Sequence, residues 1–180
     1  MPSEPIEHTI LTVALIGMMA IVLAACHWYE TSYMNEGIEE GLRVIAQTVK
    51  NAIMDSTALI AQRLGNITLV RNLDLPNRVQ EVLYVVYIAY DDKEGTCKVI
   101  AADAVNNYVK SSIKLPMVIY SLDDPRLNNQ IKLAVEILLG EVGVNPIDKY
   151  KSSIEGQVLW AVKVSINDSD WIVCGFGEKT

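Results

Sequence analysis

Residues 10–26 (ILTVALIGMMAIVLAAC) form an apolar run without a charged side chain, and Thr12 is its one strongly polar member. A helix rising ~1.5 Å per residue needs about 20 residues to cross the ~30 Å hydrocarbon core of a bilayer, and residues 10–29 supply that length. Glu7 and His8 on one side, and His27, Trp28, Tyr29, Glu30 and Tyr33 on the other, have the character of membrane interfaces. Residues 1–29 therefore read as a transmembrane helix with a short flank. Beyond it, Met34, Ile38, Leu42, Ile45, Val49, Ile53, Ile60 and Leu64 recur at three- and four-residue steps, and no proline intervenes between Pro5 and Pro76. The helix is expected to continue as a stalk over residues 30–65, with Gly65 in the position that ends it. The stripe is narrow and its opposite side is charged, so it must rest on the chain's own domain or on a neighbouring subunit. Ile38, Leu42, Ile45, Val49 and Ile53 are the candidate contact for a partner helix. Gly37 and Gly41, each weakening a helix by about 1 kcal/mol, predict a locally flexible stretch beside the membrane.

From Asn66 onward the pattern changes to short runs rich in Val, Ile, Tyr and Thr. Residues 83–90 are apolar on both faces and predict a central strand, followed by a turn over 91–95 and a second strand over 97–101. Residues 158–166 alternate, with Trp160, Val162, Val164 and Ile166 on the side expected to face the core and Lys163 and Ser165 opposite. A turn at 167–170 and a strand over 171–176 complete an expected C-terminal hairpin. Asp124-Pro125 has the form of a helix start, and Leu127, Ile131, Val135, Leu138 and Leu139 keep helical spacing until Gly140 and Gly143. The expected fold is α+β: a long N-terminal helix, then an antiparallel β-rich domain over 66–180 with one additional packed helix.

Charge and chemistry narrow the function mainly by exclusion. A formal net charge of −7 with no Lys/Arg-rich run argues against nucleic acid as a partner. The two histidines, His8 and His27, flank the membrane run, which leaves no Ser-His-Asp or Cys-His arrangement for the β-rich domain. No C-x-x-C, H-E-x-x-H, P-loop or dinucleotide fingerprint occurs, so no catalytic, cofactor or metal site is assigned. The carboxylate pairs Asp91/Asp92, Asp123/Asp124 and Asp168/Asp170 fall in expected turns, where Asp serves as a cap; a calcium loop at 167–170 is the sharper alternative. Cys97 and Cys174 are both expected to point inward, either bridged in an oxidising compartment or as two buried thiols. Leu23-Ala24-Ala25-Cys26 also spells a lipoprotein lipobox, but no Lys or Arg precedes the run. The sequons at Asn66 and Asn167 are candidate glycosylation sites and lean toward a domain outside the cytoplasm, whereas Lys and Arg are too sparse near the run to set its orientation.

Ser3-Glu4-Pro5 before the apolar run, and Leu73-Asp74-Leu75-Pro76 leading into the Tyr-rich strand, give the chain a pattern that resembles the archaeal pilin-like proteins of the type IV pilin superfamily. The resemblance implies a single-pass membrane protein whose helix packs among like helices, in homo- or hetero-oligomers with other membrane assembly proteins. Its outward β domain would serve a cell-surface structure in adhesion or secretion, without catalysis or cofactor. Pilin precursors usually carry a short basic leader, and Met1-Pro2-Ser3 has none, which favours a minor, pseudopilin-like or simply anchored relative. A membrane-tethered ligand-binding or sensor domain, with Tyr84, Tyr87, Tyr90, Trp160 and Trp171 as pocket candidates, and a lipoprotein anchored at Cys26 are the other expectations.

Overall fold

The computed structural model describes residues 4–116, 118–167 and 169–180, with side chains from residue 8 onward. Ser3, and Asp168 of the second sequon, lie outside the described residues. The fold is α+β, as the patterning predicts. Helix α1 spans Glu4–Ala61, and the chain divides into two compact units, Met1–Gly37 and Ile38–Thr180.

In the first unit every large apolar side chain between Ile10 and Met34 is exposed, from Val22 at 59% to Trp28 at 72%. This helix is long and apolar enough to cross a membrane. The Thr12 hydroxyl donates to the His8 carbonyl at 2.7 Å and the Thr31 hydroxyl to the His27 carbonyl at 2.8 Å. Both hydroxyls are thus satisfied within the helix, as a hydrocarbon surrounding demands.

The second unit contains two sheets. One orders β1 (Ile67–Asn72), β8 (Gln157–Ile166), β9 (Ser169–Lys179) and β5 (Ile119–Ser121), with β6 (Val144–Ile147) also on β9. The other orders β4 (Lys110–Lys114), β3 (Thr96–Asp103), β2 (Tyr84–Asp91) and β7 (Tyr150–Lys151). All pairings are antiparallel except β5 with β9. Helix α2 (Asn129–Glu141) presents Ile131, Val135 and Leu139 to Val158, Trp160, Val162 and Val164 on one face of the first sheet. The other face, through Leu159, Ala161, Cys174 and Phe176, shares a core with α1 and with β2 and β3.

Here the structure decides what the stripe on α1 rests on. Leu42, Val49 and Ile53 are fully buried, and Ile38 and Ile45 nearly so, in the core formed with the chain's own β2, β3, β8 and β9. These five residues are therefore not an open surface for a partner helix, and the compact unit begins inside the segment read as a stalk. The same burial corrects the expected flexibility at Gly41. A Cβ there would collide with the Val79 side chain, so this glycine admits close packing. Val79 is carried by a tight turn closed by paired backbone bonds with Val82, and both central residues, Gln80 and Glu81, have positive φ (45° and 66°), a conformation disfavoured for side chains of their size.

Strand β8 is buried on both faces rather than alternating, because helix α2 covers the side opposite the α1 core. Lys163 is consequently 4% exposed. Its Nζ donates to the Arg63 carbonyl at 2.9 Å and pairs with Asp170 at 2.8 Å. Since α1 has no basic residue in its last turn, β8 supplies the positive charge that its C-terminal carbonyls favour. Gly65 follows in the left-handed region at φ 83°. Helix α2 starts four residues later than Asp124-Pro125 suggests: Asn128 is its N-cap, accepting from the Ile131 N–H at 2.9 Å, because Asp124 is occupied elsewhere.

Two outcomes follow from this packing. A fragment of residues 38–180 should unfold cooperatively, whereas 66–180 should lose its sigmoidal thermal transition by circular dichroism, since it lacks the buried α1 residues. Gly41→Ala should destabilise the protein by about 1–3 kcal/mol. Adding Val79→Ala should cost less than the sum of the two single changes, a coupling that urea titration of the double-mutant cycle measures.

Candidate functional site

The polar chemistry buried in the second unit gathers where β3 and the loop after β5 approach β9. Asp124, completely buried, receives Arg126 in a forked pair: Nη2 to Oδ2 at 2.6 Å and Nε to Oδ1 at 2.9 Å, with the Arg126 backbone N–H also on Oδ1 at 2.9 Å. Arg126 Nη1 reaches the Gly95 carbonyl at 2.9 Å, and the guanidinium lies 4.7 Å from the ring centres of both Tyr90 and Tyr120. One side chain thus ties the β2–β3 turn to β5, combining a bidentate pair with cation–π contacts. The Cys97 thiol donates to Asp124 Oδ2 at 3.4 Å, with the Ser121 hydroxyl at 3.9 Å. Ser121 is in turn the β-ladder partner of Cys174.

The ionisation of the cluster follows from these contacts. Burial alone would push the Asp124 carboxyl up, but the bonds from Arg126 and Cys97 outweigh it and hold it below the 3.8 of an ordinary aspartate. Burial pushes the Cys97 thiol up, against partial relief from Ser121. It pushes Cys174 well up too, with Cys97 adding to the effect. Neither sulfur is poised as a thiolate nucleophile at neutral pH. Of the two states open to Cys97 and Cys174, the structure has the free thiols, both fully buried.

Beside this cluster a slot opens through the first sheet. Strand β5 pairs with β9 as far as Cys174, and β6 resumes the same edge at Phe176. Gly175, between them, has no strand partner on that side. The Trp160 ring lies across Gly175, where a Cβ would collide with the indole, and its Nε1 donates to the Phe176 carbonyl at 2.7 Å. The parting leaves a cavity of about 150 Å³ reaching Ile88 of the second sheet, walled by Trp160, Phe176 and Cys174, with Ser121 inside and Asp123 and Asp148 also lining it.

The other sequence candidates are placed as follows. Tyr84 is core, Tyr87 lies 5.2 Å beneath the Lys149 ammonium and Trp171 packs on Tyr120 at 5.2 Å. Trp160 alone of the expected aromatic group lines the slot. Asp91 binds Lys98 at 2.7 Å and caps its own turn. Asp170 is held by Lys163 and by the Ser165 hydroxyl at 2.6 Å. No group of three metal-ligating side chains occurs among the described residues. Asn66 and Asn167 are both exposed; the Asn66 side-chain oxygen accepts from the Ser165 N–H at 2.9 Å, which places it near the β8–β9 hairpin end. The sequence reading missed Arg126, Ser121, Asp148 and Gly175; the one local signal was an isolated glycine within a strand, which marks close backbone approach.

Asp124→Asn should lower stability by about 2 kcal/mol at pH 7, less than for a fully buried pair because Arg126 retains some water contact. A carboxyl with a depressed folded-state pKa contributes stability above its unfolded value of about 3.8 and loses it as pH falls through the folded value. The gap between wild type and Asp124→Asn in urea titrations should therefore be constant from pH 7 to about 5 and close on further acidification.

No protein-family model, no curated protein and no solved structure matches this chain, so the reading of its function rests on its own residues.

Proposed function

We propose that this protein is a non-catalytic, membrane-anchored subunit or accessory of the pilin-like kind, acting in the assembly of a surface structure. Its helix would lie in the lipid bilayer and its α+β domain outside the cytoplasm. The observation that carries the reading is the division of labour along α1: the large apolar side chains of residues 10–34 are all exposed, while the stripe from Ile38 to Ile60 is consumed by the chain's own core. Contacts between copies, or with other membrane subunits, then fall to residues 10–34, where lipid and like helices are the apolar surroundings available. The protonated, buried state of both domain cysteines and the clamped state of Asp124 fit a structural role better than a catalytic one.

A second reading, a membrane-tethered binding domain, is favoured by one specific observation, the slot at Gly175 with Trp160 in its wall.

Cys26 provides the test, because it is exposed on the apolar segment whereas Cys97 and Cys174 are buried. Copper-phenanthroline oxidation of native membranes should yield a disulfide-linked dimer, or a mixed disulfide with another membrane subunit, that Cys26→Ala abolishes. A chain that stays monomeric under these conditions, and in neighbouring crosslinks scanned through residues 22–30, would rule out lateral assembly. An intact mass starting at Cys26 with added acyl chains would replace the helix anchor by a lipid one.

A further inference from the structure

We infer that the slot at Gly175 binds a small organic cation, a primary ammonium on a short apolar stem. The inference rests on the second reading above, a tethered binding domain, and gives that domain its ligand class.

Three features of the slot combine. Its inner wall is apolar, with Ile88, Trp160 and Phe176 each nearly or fully buried, and a volume of about 150 Å³ matches a cavity that holds a single benzene-sized molecule. Its lining includes two carboxylates, Asp123 and Asp148, and no lysine or arginine. Both carboxylates are exposed, and neither has a hydrogen bond or an ion pair among the described residues. By contrast Asp91, Asp124 and Asp170 are each held by a cation of the chain itself. The two at the slot are thus left without a cation of the chain itself.

The shape of the slot follows from the sheet. Strand β5 leaves β9 at Cys174 and β6 joins it at Phe176, and at that junction the Trp160 indole N–H donates to the Phe176 carbonyl. That carbonyl already accepts one hydrogen bond, and the polar side chains of the lining are the two carboxylates and the Ser121 hydroxyl, itself already close to the Cys97 thiol. An acceptor-rich mouth above an apolar floor selects a head group that donates and carries positive charge, with a hydrocarbon tail no longer than the floor admits. An anion would meet two carboxylates, and a neutral alcohol could donate one hydrogen bond to them but would bring no charge to pair with theirs. The acidic balance of the chain, −7 overall, adds long-range attraction for a cation.

The test is isothermal titration calorimetry on the full chain in phosphatidylcholine nanodiscs, with empty nanodiscs as the blank and n-butylammonium, n-butanol and n-butyrate as matched probes. Butylammonium should bind saturably with a dissociation constant on the order of 1 mM, the weak affinity expected of so few atoms. Asp123→Asn with Asp148→Asn should weaken it about tenfold, and because both residues are exposed the melting temperature should not move. Screening by added salt should weaken it in the same direction. Butanol or butyrate binding as well as butylammonium would overturn the cation assignment while leaving a binding slot. Absence of saturable heat with all three probes would overturn both the assignment and the tethered-binding reading. A double variant that binds as well as wild type would show that the carboxylates do not select the ligand and would overturn it too. An enlarged-wall variant, Leu122→Phe, provides an independent check: it should exclude butylammonium yet admit ethylammonium, and equal binding of both would place the ligand outside the slot.

Discussion

The constraint on which the second unit depends is the burial of the β8–β9 hairpin on both of its faces. A strand covered on one side needs one apolar set, but β8 carries two, with Leu159 and Ala161 turned to the α1 core and Val158, Trp160, Val162 and Val164 turned to α2. Each added layer removes water from the other side of the same backbone, so the hairpin's amides and carbonyls must find partners within protein. Strand β1 provides them on one edge, and β5 with β6 on the other. Beside the place where this supply breaks, at Gly175, the Trp160 indole N–H donates to the Phe176 carbonyl. Lys163 follows from the same constraint. A cation on a doubly covered strand has to leave its charge somewhere, and the end of α1 and Asp170 receive it.

Local patterning made much of this legible. The three- and four-residue spacing of α1, the strands over 84–91 and 96–103, the C-terminal hairpin and the buried face of α2 all arise from periodicities within a single element. What a stripe rests on is a different kind of information. Leu42 and Val49 read the same whether a neighbour or the chain's own β2 and β8 covers them, because the covering residues lie far away in sequence. Gly41 looked like a weak point for the same reason, since Val79, which needs its space, is on a turn whose left-handed residues are Gln80 and Glu81 rather than the Asn-Gly expected there. Asp124-Pro125 resembled a helix start because an N-cap and a buried ion-pair acceptor are the same side chain in different company.

The short strands escaped for physical reasons too. Strand β5 has three residues and β7 two, below the length at which alternation can be recognised, and β6 contains Pro146, tolerated on an edge but uncharacteristic of a strand. The slot is built where these elements leave β9 or join it. Its residues come from five separate parts of the chain, so no motif could have announced it, although Trp160 had been named both on the core-facing side of its strand and as a pocket candidate.

The three tryptophans occupy three surroundings, and this gives the protein a built-in optical record of its state. Trp28 stands exposed on the apolar segment of α1, Trp160 is enclosed in the sheet with its N–H bonded to a carbonyl, and Trp171 is half-covered by Tyr120. Transfer of the helix from detergent to lipid alters the polarity around the first ring alone. Acidification that releases Asp124 from Arg126 disturbs the environment of the third through Tyr120, which the same guanidinium covers. The second keeps its emission until the sheet itself opens. Insertion, loosening of the clamp and global unfolding therefore have separable spectral signatures in one unlabelled chain.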